Sequence, residues 1–143
     1  MAITQAVCNS FKTDLLVGTH NFTASTGDTF KLALYTSAAS LDKTTTAYSA
    51  TNEVPASGTY GAGGGTLTSS TPVLSADTAV CNFSTLSFTG ATITARGALI
   101  YNSSKSNKAV VVLNFGSDQT STAGTFTITF PAAAAGTAII GLA

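Results

Sequence analysis

Along most of the chain, large apolar residues alternate with small polar ones. The alternation is sharpest in Thr125-Phe126-Thr127-Ile128-Thr129-Phe130, where every second residue is large and apolar and every other is Thr. A period of two is that of a strand with one face in the core and the other toward water or a partner. Phe30, Leu32 and Leu34 repeat it against Lys31, Ala33 and Tyr35, and residues 83–88 carry a looser version. Residues 93–101 and 109–115 are apolar on both faces and are joined by Ser103-Ser104-Lys105-Ser106-Asn107-Lys108. That combination predicts a long hairpin at the centre of the sheets, since burial on both sides removes the need for alternation.

One segment has a different period. Ile3, Val7, Phe11 and Leu15 recur every four residues and Gly18 follows, which predicts a short amphipathic helix over about 3–17 with Thr4 as its N-cap. Residues 37–70 lose all periodicity and carry Pro55, Gly58 and Gly61-Ala62-Gly63-Gly64-Gly65; they predict long excursions, with room for one strand, projecting from the body. Pro131 ends the Thr/Phe strand, the Ala run 132–135 reads as a connection, and residues 137–142 as a last strand. No βαβ alternation and no repeat appears. The expectation is a single mainly β domain over 1–143, an antiparallel β-sandwich of jelly-roll type preceded by one short N-terminal α-helix.

Composition changes what the outer faces mean. Of 143 residues, 26 are Thr, 16 Ser, 23 Ala and 13 Gly, while charged residues make up 8% against roughly 25% in ordinary soluble domains. Net charge is zero, so six scattered basic residues offer little to nucleic acid or to an anionic membrane, and neither is expected as a partner. No apolar run reaches the ~18 residues of a membrane span. The opening residues lack a basic stretch followed by an apolar one, so synthesis in a cytoplasm is expected, with Cys8 and Cys81 as free thiols. Thr and Ala stand where a soluble monomer would carry charge, and few Lys guard the strand edges. Such a surface predicts a subunit of an assembly.

Candidate chemistry is sparse. His20 is the only imidazole, and with Asp14 or Asp28 and one of many Ser residues a triad can be drawn, but no Gly-x-Ser-x-Gly elbow is present. The five Asp and the lone Glu53 are isolated from one another along the chain, and the cluster 61–65 is followed by no Lys-Ser/Thr, so it reads as a flexible loop. No catalytic residue, metal or cofactor is expected, and the chain is read as a non-enzyme. Arg96, the single Arg, sits in an apolar strand and reads equally as half of a buried or interface pair and as an outward-facing edge residue. Tyr48 and Tyr60 fall in the projecting region and suit contact with a sugar or a protein. With Arg96, Thr125, Thr127 and Thr129 they make up the expected interface residues.

Four blocks carry a likeness: Met1-Ala2-Ile3-Thr4-Gln5-Ala6-Val7-Cys8-Asn9-Ser10-Phe11-Lys12, Thr29-Phe30-Lys31-Leu32-Ala33-Leu34-Tyr35-Thr36, Ala91-Thr92-Ile93-Thr94-Ala95-Arg96-Gly97-Ala98-Leu99-Ile100-Tyr101-Asn102 and Val112-Leu113-Asn114-Phe115-Gly116. They resemble a family of small virion structural proteins of tailed bacteriophages. The resemblance implies a place in the virion, after synthesis in the host bacterial cytoplasm, and a role in capsid decoration or cement. Its partners would be the major capsid protein and other copies of itself, a trimer being the expected state. The alternative is a tail-fibre, head-fibre or filament module that self-assembles or binds a host-surface glycan through the loops bearing Tyr48 and Tyr60.

Overall fold

The computed structural model describes residues 2–143. Its strands are β1 (Ala6–Val7), β2 (Phe30–Tyr35), β3 (Gly65–Thr66), β4 (Ser69–Ser75), β5 (Thr78–Phe83), β6 (Leu86–Asn102), β7 (Lys108–Ile128) and β8 (Ile140–Leu142), with one helix, α1 (Asn9–Leu16), between the first two. They form a five-stranded sheet in the order β1-β7-β6-β2-β3 and a three-stranded sheet in the order β4-β5-β8. Every strand pair in both is antiparallel. The architecture is mainly β, with two sheets and one short helix, as the alternation predicts.

The hairpin of β6 and β7 is the spine. Its turn is closed by Ser106 and Asn107, both in the left-handed region at φ 54° and 58°. The expected strands at 109–115 and 125–130 prove to be, up to Ile128, parts of one 21-residue strand, β7. That strand is bent: Phe115 and Phe126 have ring centroids 6.5 Å apart, where a straight strand at ~3.3 Å per residue would separate them by roughly 36 Å. The register gives the cause. Ala95 pairs with Gln119 but Gly97 pairs with Asn114, so β7 carries extra residues opposite Arg96, and smaller shifts follow at Ala91. Bulges of this kind fold a ribbon back over its own sheet. Gly97 is required at the bend, since a Cβ there would lie 2.4 Å from the Leu113 carbonyl oxygen.

Burial on both faces at the middle of the hairpin is complete: Ala98, Leu99, Ile100, Ala109, Val110 and Val112 are without exposure. Each such Leu, Ile or Val side chain contributes about 1.5–3 kcal/mol relative to an exposed one. Phe22 stacks on Phe30 at 4.3 Å, and Phe83 of β5 packs against Phe30 of β2 at 5.9 Å, which ties the small sheet to the large one through aromatic contacts.

The N-terminal helix is shorter than the fourfold spacing predicts. The N–H groups of Thr4, Cys8 and Asn9 donate to the carbonyls of Leu41, Val110 and Lys43, so the backbone before Asn9 is committed to neighbouring segments and cannot wind. Ile3 and Val7 do face the body, but from extended chain, Val7 in β1 opposite Val111. Cys8, not Thr4, occupies the N-cap, and its side chain makes no capping bond. The last strand is likewise trimmed to β8.

Residues 37–70 do not project as a whole. Ala39, Leu41, Val54, Tyr60 and Leu67 are buried in them, and Val54 N–H donates to the Leu34 carbonyl at 3.0 Å. The Gly-rich cluster is part of this attachment. Gly64 has φ +79°, and a Cβ on it would stand 1.8 Å from the Leu32 carbonyl oxygen. Gly64 permits backbone to lie on backbone rather than supplying flexibility.

Candidate functional site

The lone Glu53 and all four tyrosines meet in one cluster where the 37–70 segment lies on β2 and β6. Tyr60 donates to Glu53 Oε1 at 2.8 Å, the Gly63 N–H donates to the same oxygen at 2.8 Å, and Tyr48 donates to Oε2 at 2.7 Å. Tyr60 also accepts the Leu34 N–H at 2.8 Å, Tyr101 donates to the Gly63 carbonyl at 2.7 Å, and Tyr35 donates to the Ser49 carbonyl at 2.7 Å. Tyr48 stacks on Tyr101 at 4.8 Å. Burial raises the Tyr101 phenol to about 12 and pushes those of Tyr35, Tyr48 and Tyr60 higher still, with the Glu53 charge acting in the same direction. Three donors occupy the Glu53 carboxylate and every phenol is kept protonated. The cluster holds a loop down; it has no free base to offer a substrate.

Tyr60 therefore presents no contact surface, and Tyr48 presents only part of its ring. Tyr60 is 1% exposed and Tyr48 is half-buried against the core. The expectation that they project is corrected by the carboxylate that draws both inward.

His20 lies between α1, the loop before β2 and the hairpin turn. Its Nδ1 accepts from Asn102 Nδ2 at 3.0 Å, which leaves the proton on Nε2, 3.9 Å from Asp14 Oδ2. Asn102 donates as well to Asp28 Oδ2 at 2.8 Å, and Lys108 sits 3.2 Å from Asp14 Oδ2. Phe11 packs on the imidazole at 4.9 Å. Burial lowers the His20 pKa, against the pull of Asp14 and Asp28. Asp28 is raised by burial but more than offset by hydrogen bonds from Asn102 and Asn21, so it titrates below the usual carboxylate range. The imidazole is neutral and its side chain has no exposed surface. A carboxylate is near, but no substrate can reach the ring.

Arg96 projects outward and pairs with Asp118, Nε to Oδ1 at 2.8 Å, with both side chains more than a third exposed. Each reading of this residue holds in part: Arg96 is half of a carboxylate pair, and that pair faces outward rather than being buried. The pair spans the large bulge of β7 and stabilises by about 1 kcal/mol at most. Thr125, Thr127 and Thr129 are exposed, on the face opposite the buried Phe126 and Ile128. Among the described residues no group of three His, Cys, Asp or Glu is placed to hold a metal ion, and no helix is long and apolar enough to cross a membrane.

One surface feature went unread in the sequence. Leu16 and Val17 at the end of α1, Val73 and Leu74 of β4, and Leu142 of β8 are 55–84% exposed. Between α1 and the small sheet lies an apolar groove of about 180 Å³ whose walls include Phe11, Leu15, Pro72, Val80, Ile140 and Leu142. The signal was present in the Leu15-Leu16-Val17 run, because only Leu15 continues the Phe11 stripe and the other two must point elsewhere. No family model, curated protein or solved structure matches the chain.

Proposed function

We propose that the protein is a structural subunit that acts by being built into a larger particle. The observation that carries this reading is the apolar face between α1 and the small sheet, a groove walled by Phe11, Leu15, Val80, Ile140 and the exposed Leu142, on a chain whose charged fraction is only 8%. Monomers in free solution rarely leave such a face uncovered. Following the sequence resemblance, the particle is the virion of a tailed bacteriophage, and the subunit decorates and cements its shell. It stabilises by contact area repeated over many copies, at about 25 cal/mol per Å² of apolar surface before entropy losses are subtracted.

The groups that would serve catalysis support no competing reading, since Glu53 is saturated and His20 is enclosed. The glycan-binding alternative rested on Tyr48 and Tyr60, and it loses its support with both drawn into the Glu53 cluster. The test is stoichiometry in purified particles. Hundreds of copies on the head, with shells that burst more easily when the subunit is missing, are expected. A few dozen copies confined to the tail, or none, would overturn the proposal.

A further inference from the structure

The two long edges of the β6/β7 ribbon are treated differently. On the β6 side, Thr89 gives its N–H to Thr59 Oγ1 and accepts the Thr59 N–H, and Thr92 gives its N–H to Ser57 Oγ, so the 57–60 loop covers that edge with its own donors and acceptors. On the β7 side, β1 pairs with Val111 and Val112, residues 46–48 bond to Asn107 and Ala109, and Gln5 accepts the Asn114 N–H, but among the described residues no strand besides β6 pairs with β7 from Phe115 to Ile128. A groove of about 330 Å³ opens there, walled by Phe115, Gln119, Thr120 and the strand end 125–129. Every wall residue belongs to β7 or to Thr129 just after it, and none to β6, so the groove lies on the open side of the strand.

This edge lacks the usual guards. Between Lys108 and Pro131 it holds no Lys and no Pro, and its one acidic residue, Asp118, is neutralised by Arg96. Ala123, at φ +46°, and the register shift between Gly124 and Phe126 interrupt it, which leaves residues 126–128 in regular register with β6, flanked by Thr125 and by Thr129 just past the strand end. That stretch is complementary to itself. Run antiparallel about Thr127, it sets Thr125 opposite Thr129 on the outer face and Phe126 opposite Ile128 on the inner one. Threonine pairs and aromatic–β-branched pairs are favourable cross-strand neighbours, and a neutral edge adds no repulsion.

We infer that the open edge of β7 is a self-association site, where residues 125–129 of two copies pair antiparallel and join two five-stranded sheets into one. An antiparallel contact of a strand with itself closes after two copies, so the product is a twofold dimer rather than a ring of three. The inference rests on the assembling-subunit reading only for its biological use. The dimer forms from purified protein without any particle, through an edge distinct from the apolar face.

Light scattering after size-exclusion chromatography of the full chain provides the test. The wild type is expected at twice 14.3 kDa. Thr127→Lys, at an exposed position, is expected to raise the dimer dissociation constant by about tenfold or more with an unchanged circular dichroism spectrum, and Leu74→Lys is expected to leave the dimer intact. A monomeric or trimeric wild type, or a dimer broken by Leu74→Lys and untouched by Thr127→Lys, would overturn the inference. Either result leaves the particle stoichiometry to be judged separately.

Discussion

Tyr60 and Glu53 share a hydrogen bond of 2.8 Å that fastens an otherwise unstructured segment to the sheet, because the same phenol also accepts the N–H of Leu34 in β2. One hydroxyl thus serves a strand and a loop together. Tyr60→Phe leaves the Leu34 N–H without its side-chain acceptor in a fully buried place and removes one of three donors from the carboxylate. The expected loss is about 1–3 kcal/mol. Tyr48→Phe, at a half-buried phenol with a single carboxylate bond, is expected to cost less. Urea midpoints of the two variants measure the order, and equal midpoints would count against the clamp.

The glycine cluster offers a contrast within one loop. Gly64→Ala forces a Cβ onto the Leu32 carbonyl at a positive φ, whereas Gly61 has no atom within 4 Å of the added carbon and no positive φ. The first is expected to destabilise by more than about 2 kcal/mol, and the second to be neutral or stabilising by up to about 1 kcal/mol. Thermal melts of both variants check this. A tolerated Gly64→Ala would mean that the loop does not lie on β2.

What was legible in the sequence had local causes. Burial of 93–101 and 109–115 on both faces, with a polar link between them, made the central hairpin readable, and the Thr/Phe alternation gave the outer and inner faces of the end of β7. The start of α1 was misread because a four-residue spacing also fits an extended segment whose N–H groups donate to Leu41 and Val110, and those partners are distant in sequence. Residues 37–70 were opaque for the same reason: Glu53 is one carboxylate among polar residues until Tyr48, Tyr60 and Gly63 converge on it. The bend of β7 depends on a register shift opposite Arg96, which no periodicity reports. The apolar face is assembled from α1, β4, β5 and β8, which are distant in the sequence, so no local pattern reports it.

His20 makes stability depend on pH with a definite sign. Its folded-state pKa lies below the ordinary 6.5, so on acidification the unfolded chain takes up the proton first and stability falls as pH drops below about 6.5. Asp28, held low in the fold, adds a further loss as pH falls through and below 3.8. Denaturant midpoints are therefore expected to be flat from pH 8 to about 7 and to decline toward pH 5. His20→Phe, which keeps an aromatic ring beside Phe11, should flatten the decline between pH 6.5 and 5 whatever it does to the absolute midpoint. An unchanged slope in that variant would remove His20 as the cause.

Both thiols should be silent in the native protein. Cys8 has no exposed surface and Cys81 is 8% exposed, and burial raises each to about 11. Thiolate is the reactive species, so at pH 8 a thiol-disulfide reagent is expected to modify neither residue in the folded state and both once the chain is denatured. Counting thiols released with and without denaturant measures this. One fast-reacting thiol in the native protein would show that the wall of the apolar groove, which includes Cys81, opens to solvent.

The apolar face should be separable from the fold. Leu16 and Leu74 are 84% and 74% exposed, so replacing both with Lys removes almost no buried contact, and each change is expected to alter stability by no more than about 0.5 kcal/mol. The same pair of charges would have to be desolvated if the face is covered in a particle, and buried unpaired charges oppose association strongly. The double variant is therefore expected to melt like the wild type, to bind less of an apolar fluorescent dye, and to be lost from particles assembled in its presence. Incorporation at wild-type levels would show that this face stays open in the assembly and that the subunit is held by another surface.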